Sequence, residues 1–465
     1  MASDASDKAL ERNVAFIERA IESGQVRLMM RALRQNTQIR RGISAAAVAK
    51  MITKRLSLSP LRSRAVEELE KAPVGMEEVE DGINGDDAME TECLPEVEIY
   101  LLCLAASTLC RERLFEGAAA VASDTVRRLR HFHGRRTLEP LGAKIYFYFA
   151  YAHEKLGKFE DVRPTLLAAH RTACLQHNEF AQAVLLNALV RGLLEANLID
   201  SAFKLVSKTN FPESVSNNQF CRYLYYTGRI QAMQLDYTDA YTKLMQSIRK
   251  APANLGFRRA VHKLAVLVQL LMGEVPDRTM FQGQGLASAM APYLRLTQAV
   301  RRGSLLEFNQ VVEANAVRFK ADKTYTLAIR LSQNVVKTGL RRLNISYSRI
   351  SLDDIRDKLQ LENSRSAEFV CAKAIKDGVI DAVIDHDRSF MSSKDVTEVY
   401  ATNDPQKAFH RRVAFCLDVH NEALKAMMYP PDAHKKPQPE TKPDDSKTDE
   451  ELAKEIEDEL GDEPL

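Results

Sequence analysis

At 465 residues the chain is long enough for about three globular domains or one extended repeat array, and it can bury a core without disulfide staples. Its 45% hydrophobic and 28% charged residues exclude a mostly disordered protein. The 65 Lys and Arg nearly balance 63 Asp and Glu, but unevenly: residues 77–98 hold 10 acids and no Lys or Arg, and residues 430–465 hold 13 acids and 5 bases. What remains is a body of 60 bases and 40 acids, net +20, suited to an acidic partner, whether nucleic acid or protein.

The first ten residues are polar and acidic, without the basic end and apolar run of a signal peptide. No apolar run approaches the ~18 residues of a membrane span, so no membrane partner is expected. The longest runs, 100–110 and 265–272, read as buried helix. The seven cysteines form no CxxC pair; Cys103 and Cys110 lie seven apart on one helix face, and all read as buried free thiols. A reducing compartment, cytoplasm and nucleus, is expected.

Residues 1–72 read as N-terminal helices with basic faces, and 73–95 as an acidic linker interrupted by Gly82 and Gly85. Residues 96–324 repeat a pattern of apolar stripes at spacings of three and four, such as Tyr226, Ile230 and Met233, or Ala240, Leu244 and Ile248. Between stripes sit similar turns centred on Gly157, Asn197, Asp236 and Gly273, each with a residue suited to left-handed helix termination and an Asp placed to cap the next helix. A period of about 40 residues with two helices per unit predicts a right-handed α-solenoid of TPR-like helical repeats; an irregular helical bundle is the alternative.

Residues 325–395 change texture. A helix over 325–343 carries Leu327, Leu331 and Val335, and a short strand is expected over 346–350. Ser351 and Asp354 then form a capping box that opens a helix with Leu352, Ile355 and Leu359 on its apolar face. A helix over 367–377 ends at Gly378, and strands over 379–384 and 389–391 flank a turn at 386–388. Helix, strand, helix, helix and two-stranded wing is the order of a winged helix. A closing helix over 406–427 lies within 396–429, and residues 430–465 form a Pro-interrupted acidic tail that reads as disordered.

No catalytic signature is present, and no cofactor or metal is expected. There is no GxxxxGK[ST], GxSxG or HExxH. Gly283 and Gly285 lack a third glycine at Ser288. His131 and His133 form an HxH, but Leu141 and Lys144 stand where a metalloprotease would need oxygen ligands, so they read as basic-helix histidines. What remains is surface for binding. Tyr223, Tyr225, Tyr226 and Arg229 either fill the core between repeats or line a peptide groove. On the winged helix, Arg341, Arg342, Arg349 and Tyr347 admit a nucleic-acid face, but the presumed recognition helix carries Glu368 and Asp377 beside Lys373 and Lys376, so nucleic acid is not the expected partner. The competing reading is strand addition along an edge supplied by Ile380, Val383, Ile384, Phe390 and Met391. Phe415, Leu417 and Val419 mark the closing helix as a further contact.

A helical-repeat array running into a winged helix resembles the PCI module of scaffold subunits in the proteasome lid, the signalosome and a translation initiation factor complex. Phe211-Pro212-Glu213, the run from Arg222 to Ile230, Gly273 to Arg278, Ser346 to Leu352, Ala372 to Ile380 and Phe415 to Asn421 resemble one lid family, the non-ATPase regulatory subunit 3 proteins of the 26S proteasome. The likeness covers about residues 8–430 and is weakest at 37–92 and in the tail. It implies a non-catalytic lid scaffold serving ubiquitin-dependent degradation. Its implied partners are neighbouring PCI subunits met winged helix to winged helix, a shared bundle of C-terminal helices, and a small acidic disordered lid subunit held on the repeats. A signalosome or initiation-factor scaffold, and a PCI nucleic-acid adaptor of mRNA export, are the alternatives.

Overall fold

A computed structural model of the chain describes residues 2–24, 26–56, 61–71, 94–132, 135–252, 255–283, 285–361, 363–394 and 399–428. The chain divides into two compact units, Met1–Ser393 and Lys394–Leu465. The interior of the expected acidic linker and the expected disordered tail lie outside the described residues, as does His133.

In the first unit, α1 (Ala2–Glu22), α2 (Val26–Gly42), α3 (Ala45–Arg55) and α4 (Arg62–Glu70) all pack on α5 (Pro95–Arg111). Proline suits the first position of α5, because that N–H has no helical acceptor. Every residue from Glu96 to Leu109 is buried, which is why the stretch from Ile99 to Ala106 is apolar on all faces rather than striped. Asn13 ties the layer together: its Nδ2 donates to the Tyr100 hydroxyl at 3.1 Å and to the Ala32 carbonyl at 3.2 Å.

The chain continues through α6 (Phe115–Leu129), α7 (Glu139–Lys155), α8 (Phe159–Leu175), α9 (Glu179–Glu195), α10 (Ile199–Lys208), α11 (Asn217–Met233), α12 (Tyr237–Lys250) and α13 (Leu255–Met272). Consecutive helices pack together, and α5, α7, α9, α11 and α13 also pack each on the next of the set. Contacts made chiefly between nearest and next-nearest helices are those of a solenoid, not of an irregular bundle. Helices α7, α9, α11 and α13 begin at 139, 179, 217 and 255, with the expected repeat.

The turns differ in two respects from the sequence reading. Gly157, Asn197 and Gly273 are left-handed as expected, but in the third turn Leu235 takes that conformation (φ 78°) and Asp236 does not (φ −82°). The helix end demands the geometry at a fixed position, whichever residue stands there. The aspartates do not cap. Asp161, Asp200 and Asp239 sit inside the first turns of their helices, where a carboxylate meets the positive end of the helix dipole. Side-chain caps come instead from Ser44, Asn178, Ser304 and Ser351.

Beyond α13 lie α14 (Ala287–Arg302), α15 (Leu305–Ala314), α16 (Ala316–Ala321), α17 (Tyr325–Arg330) and α18 (Ser332–Ser346). The helix expected over 325–343 is therefore two, separated at the buried Leu331. Helices α14 and α18 meet through glycines. Gly303 ends α14 at φ 71°, where a Cβ would stand 2.7 Å from the Gly339 Cα. A polar clamp holds the turn after α16: Lys263 Nζ donates to both Asp322 carboxylate oxygens at 2.7 and 2.8 Å, and the Tyr293 hydroxyl donates to Asp322 at 3.0 Å beside Thr324. Lys323 of the same turn pairs with Glu195 at the end of α9.

The winged helix follows: β1 (Arg349–Ser351), α19 (Leu352–Leu359), α20 (Ser364–Lys376), β2 (Ala382–Asp385) and β3 (Phe390–Ser393). Its core gathers Ile350, Leu352, Ile355, Leu359, Ala367, Cys371, Ile380 and Met391 around Leu340 of α18. Ser351 Oγ accepts the Asp354 N–H at 3.1 Å, but the Asp354 carboxylate takes the serine hydroxyl at 2.7 Å, so only half of the expected capping box forms. The strand after α18 starts at Arg349, not at 346, because α18 runs on to Ser346. The antiparallel sheet has the order β1-β3-β2, with Ile350 opposite Met391 and Val383 opposite Ser392.

The second unit is described through a 3₁₀ turn, Val399–Ala401, and α21 (Asp404–Met427). No residue of α21 is buried. Among the described residues no helix is long and apolar enough to cross a membrane. Of the described cysteines, Cys174 and Cys416 are exposed, contrary to the expectation that all are buried.

Candidate functional site

The tyrosine run lies on α11, where helical spacing sends its side chains to different neighbours. Tyr223 stacks on Phe211 at 4.4 Å between ring centroids, against the cluster built by α9 and α10. Tyr225 turns the other way, edge-on to Phe257 at 5.9 Å. Tyr226 sits beside Arg191, whose guanidinium bonds Glu154 at 2.8 Å. Burial raises the phenol pKa of all three. Arg229 is half-buried beside Tyr225. This placement packs the rings between repeats, while Tyr223 also lines a recess of about 540 Å³ with Phe211. Tyr225 and Tyr226 lie 5.6 Å apart between ring centroids, whereas Tyr223 and Tyr226 line different recesses.

A larger recess lies elsewhere on the repeats. A cleft of about 700 Å³ is bounded by the end of α6, the start of α7, α8 and the start of α9. Arg130, Arg135 and Arg136 line it with Phe132 and Tyr146, and Glu139 is its single acid among the described residues. No sequence motif marks these arginines, because their convergence depends on helices that the spacing does not place.

On the winged helix, sheet order decides which candidate residues are accessible. Strand β3 is central, so Phe390 and Met391 form no edge, contrary to expectation. Met391 and Ile380 are buried in the core, and Ile380 precedes β2. Phe390 is half-buried beneath the Arg349 guanidinium, 3.5 Å above its ring. The open edges belong to β1 and β2. The Ser393 N–H donates to the Ser348 carbonyl, and the Leu352 N–H to the Ser389 carbonyl. Residues 389, 391 and 393 therefore face β1, and 390 and 392 face β2, because an antiparallel strand alternates the direction of its polar groups. In β2, Val383 and Asp385 oppose Ser392 and Phe390 and point inward, leaving Ala382 and Ile384 to present their N–H and C=O outward. Val383 exposes its side chain, but its backbone is not the free one.

On α21 the three expected residues do not share a face. A period of 3.6 places Leu417 with Phe409, Val413, Leu424 and Met427, and places Phe415 and Val419 on the far side. All seven are exposed. The longer stripe was missed because 415, 417 and 419 follow a spacing of two, whereas a helix face recurs at three and four.

These surfaces suit assembly, and comparison with known proteins gives their context. A family described as PSMD3-like, N-terminal TPR repeats, matches residues 6–297; the PCI domain matches 312–395; a family described as the C-terminal part of proteasome regulatory subunits matches 398–463. The chain is 42% identical over 436 residues to the probable 26S proteasome regulatory subunit rpn3 of Schizosaccharomyces pombe, covering 92% of this chain and 86% of that protein. It is 42% identical over 433 residues to the probable 26S proteasome non-ATPase regulatory subunit 3 of Daucus carota, covering 92% and 88%. Against the 26S proteasome non-ATPase regulatory subunit 3 of Dictyostelium discoideum it is 40% identical over 441 residues, covering 92% and 86%. The chain belongs to the 26S proteasome non-ATPase regulatory subunit 3 family. The C-terminal family match extends past residue 430, beyond the likeness read from sequence motifs, and takes in all of α21.

Proposed function

We propose that the protein is a non-catalytic scaffold subunit of the 26S proteasome regulatory particle lid, serving ubiquitin-dependent degradation in the cytoplasm and nucleus. The observation that carries this reading is the free edge of β2 together with the exposed apolar stripe of α21, in a chain of the regulatory subunit 3 family. A neighbouring PCI subunit adds a strand along Ala382 and Ile384, where main-chain groups supply affinity and flanking side chains supply register. The C-terminal helices of other lid subunits cover Phe409, Val413, Leu417 and Leu424 as an amphipathic helix is covered in a bundle. A small acidic disordered lid subunit lies on the basic repeats. The working division of the chain is 1–72, 73–95, 96–324, 325–395, 396–429 and 430–465. Ending the chain at residue 403 is the test. The shortened protein is expected to keep its melting temperature and to fail to enter the lid on a native gel; normal incorporation would refute the role given to α21.

A further inference from the structure

The arginine cleft between α6 and α9 has a charge and a position that point to an occupant within the same chain. Arg130 and Arg136 are exposed and form no ion pair among the described residues. With Arg135 paired to Glu96, Glu139 is the one acid that the described lining sets against Arg130 and Arg136. Residues 77–98 hold 10 acids and no Lys or Arg, and the last two of those acids are already bound beside this cleft. Glu96 meets Arg135 at 3.3 Å and accepts the Thr137 hydroxyl at 2.7 Å, and Glu98 meets Arg128 at 3.5 Å. The eight remaining acids, within 77–92, carry no Lys or Arg among them and join the described structure at Leu94, one helical turn from those contacts.

We propose that the Arg130–Arg136 cleft is a docking site for an acidic, extended peptide, and that residues 77–92 of the same chain occupy it. Only a few residues separate Glu92 from Glu96, and an extended chain covers about 3.3 Å per residue, so the segment reaches the cleft without displacing α5. Tethering raises its effective concentration to the order of millimolar, enough for individually weak surface ion pairs to act together. The tethered segment then competes with any other acidic chain for the same arginines.

The test uses the full chain and a fluorescent peptide with the sequence of residues 77–92. A variant with the eight acids of 77–92 replaced by Asn or Gln is expected to bind the peptide at least tenfold more tightly than the wild type, because its cleft is vacant. Binding should weaken with added salt and vanish when Arg130→Gln and Arg136→Gln are added, neutral changes at exposed positions that leave the melting temperature unchanged. Phenylglyoxal should modify Arg130 and Arg136 faster in the acid-neutralised chain than in the wild type. Equal peptide binding by both chains, or binding indifferent to the two arginine substitutions, would overturn the proposal. So would an acid-neutralised chain that binds no peptide 77–92 but takes up an acidic peptide of different sequence, since the cleft would then serve another protein.

Discussion

Single residues fix the joints of this molecule, and two kinds of test apply at that scale. Lys263, Asp322, Tyr293 and Thr324 meet in a half-buried network that pins the turn after α16 against α13 and α14. Asp322→Asn keeps the shape but removes the charge that Lys263 needs, and hydrogen bonds to charged groups contribute about 1.5–3 kcal/mol. Urea unfolding should show a loss of about 2 kcal/mol, against about 1 kcal/mol for Tyr293→Phe. The second test is pH. Burial lowers the pKa of His170 and His262 below the ordinary 6.5, and the His262 Nδ1–H is spent on the Arg258 carbonyl. The unfolded chain therefore takes up protons that the folded chain refuses. Stability is complete above pH 6.5 and falls as pH drops through the depressed pKa values. Replacing both histidines by Gln should flatten the melting-temperature profile on the acid side of 6.5 and leave the neutral side level. The clamp was not legible in the sequence, because its partners lie 59 and 29 residues apart and each alone is an ordinary helix residue.

At the scale of elements, the sequence was readable where a pattern is local. Turns recurring about every 40 residues located the helix pairs, and Leu352, Ile355 and Leu359 are all buried as their spacing predicts. It was not readable where pairing is remote. The central place of β3 depends on β1, some 40 residues upstream, so two apparent edge strands became one edge and one core strand. The tyrosines of α11 were ambiguous because a ring with a polar tip suits a core and a groove equally. Two predictions belong here. Gly339→Ala would put a methyl 2.9 Å from the Gly303 carbonyl and 2.7 Å from Leu359, forcing α14 and α18 apart; overpacking of this kind costs about 1–3 kcal/mol and should appear in a thermal melt. Proline scanning of β2 separates internal pairing from the free edge. Val383→Pro breaks a bond to β3 and should destabilise the winged helix itself. Ile384→Pro removes an outward N–H, so it should lower entry into the lid by more than its melting temperature accounts for. Equal loss from both substitutions would argue against strand addition.

At the scale of the whole molecule, the near-neutral charge conceals a division: a basic body, one acidic stretch between α4 and α5, and an acidic end after α21. The basic repeats, the open β2 edge and the exposed stripe of α21 together describe a part made to be covered by other proteins. Among the described residues no group of His, Cys, Asp or Glu is placed to hold a metal ion, and the buried Cys371 thiol is pushed up to about 11 by burial, far from a nucleophile's range. The most direct measurement is affinity purification of the chain from its own cells, with mass spectrometry of what accompanies it. Proteasome lid subunits are expected in equal proportion to the tagged chain. Recovery of a signalosome or initiation-factor complex, or of the chain without lid subunits, would contradict it.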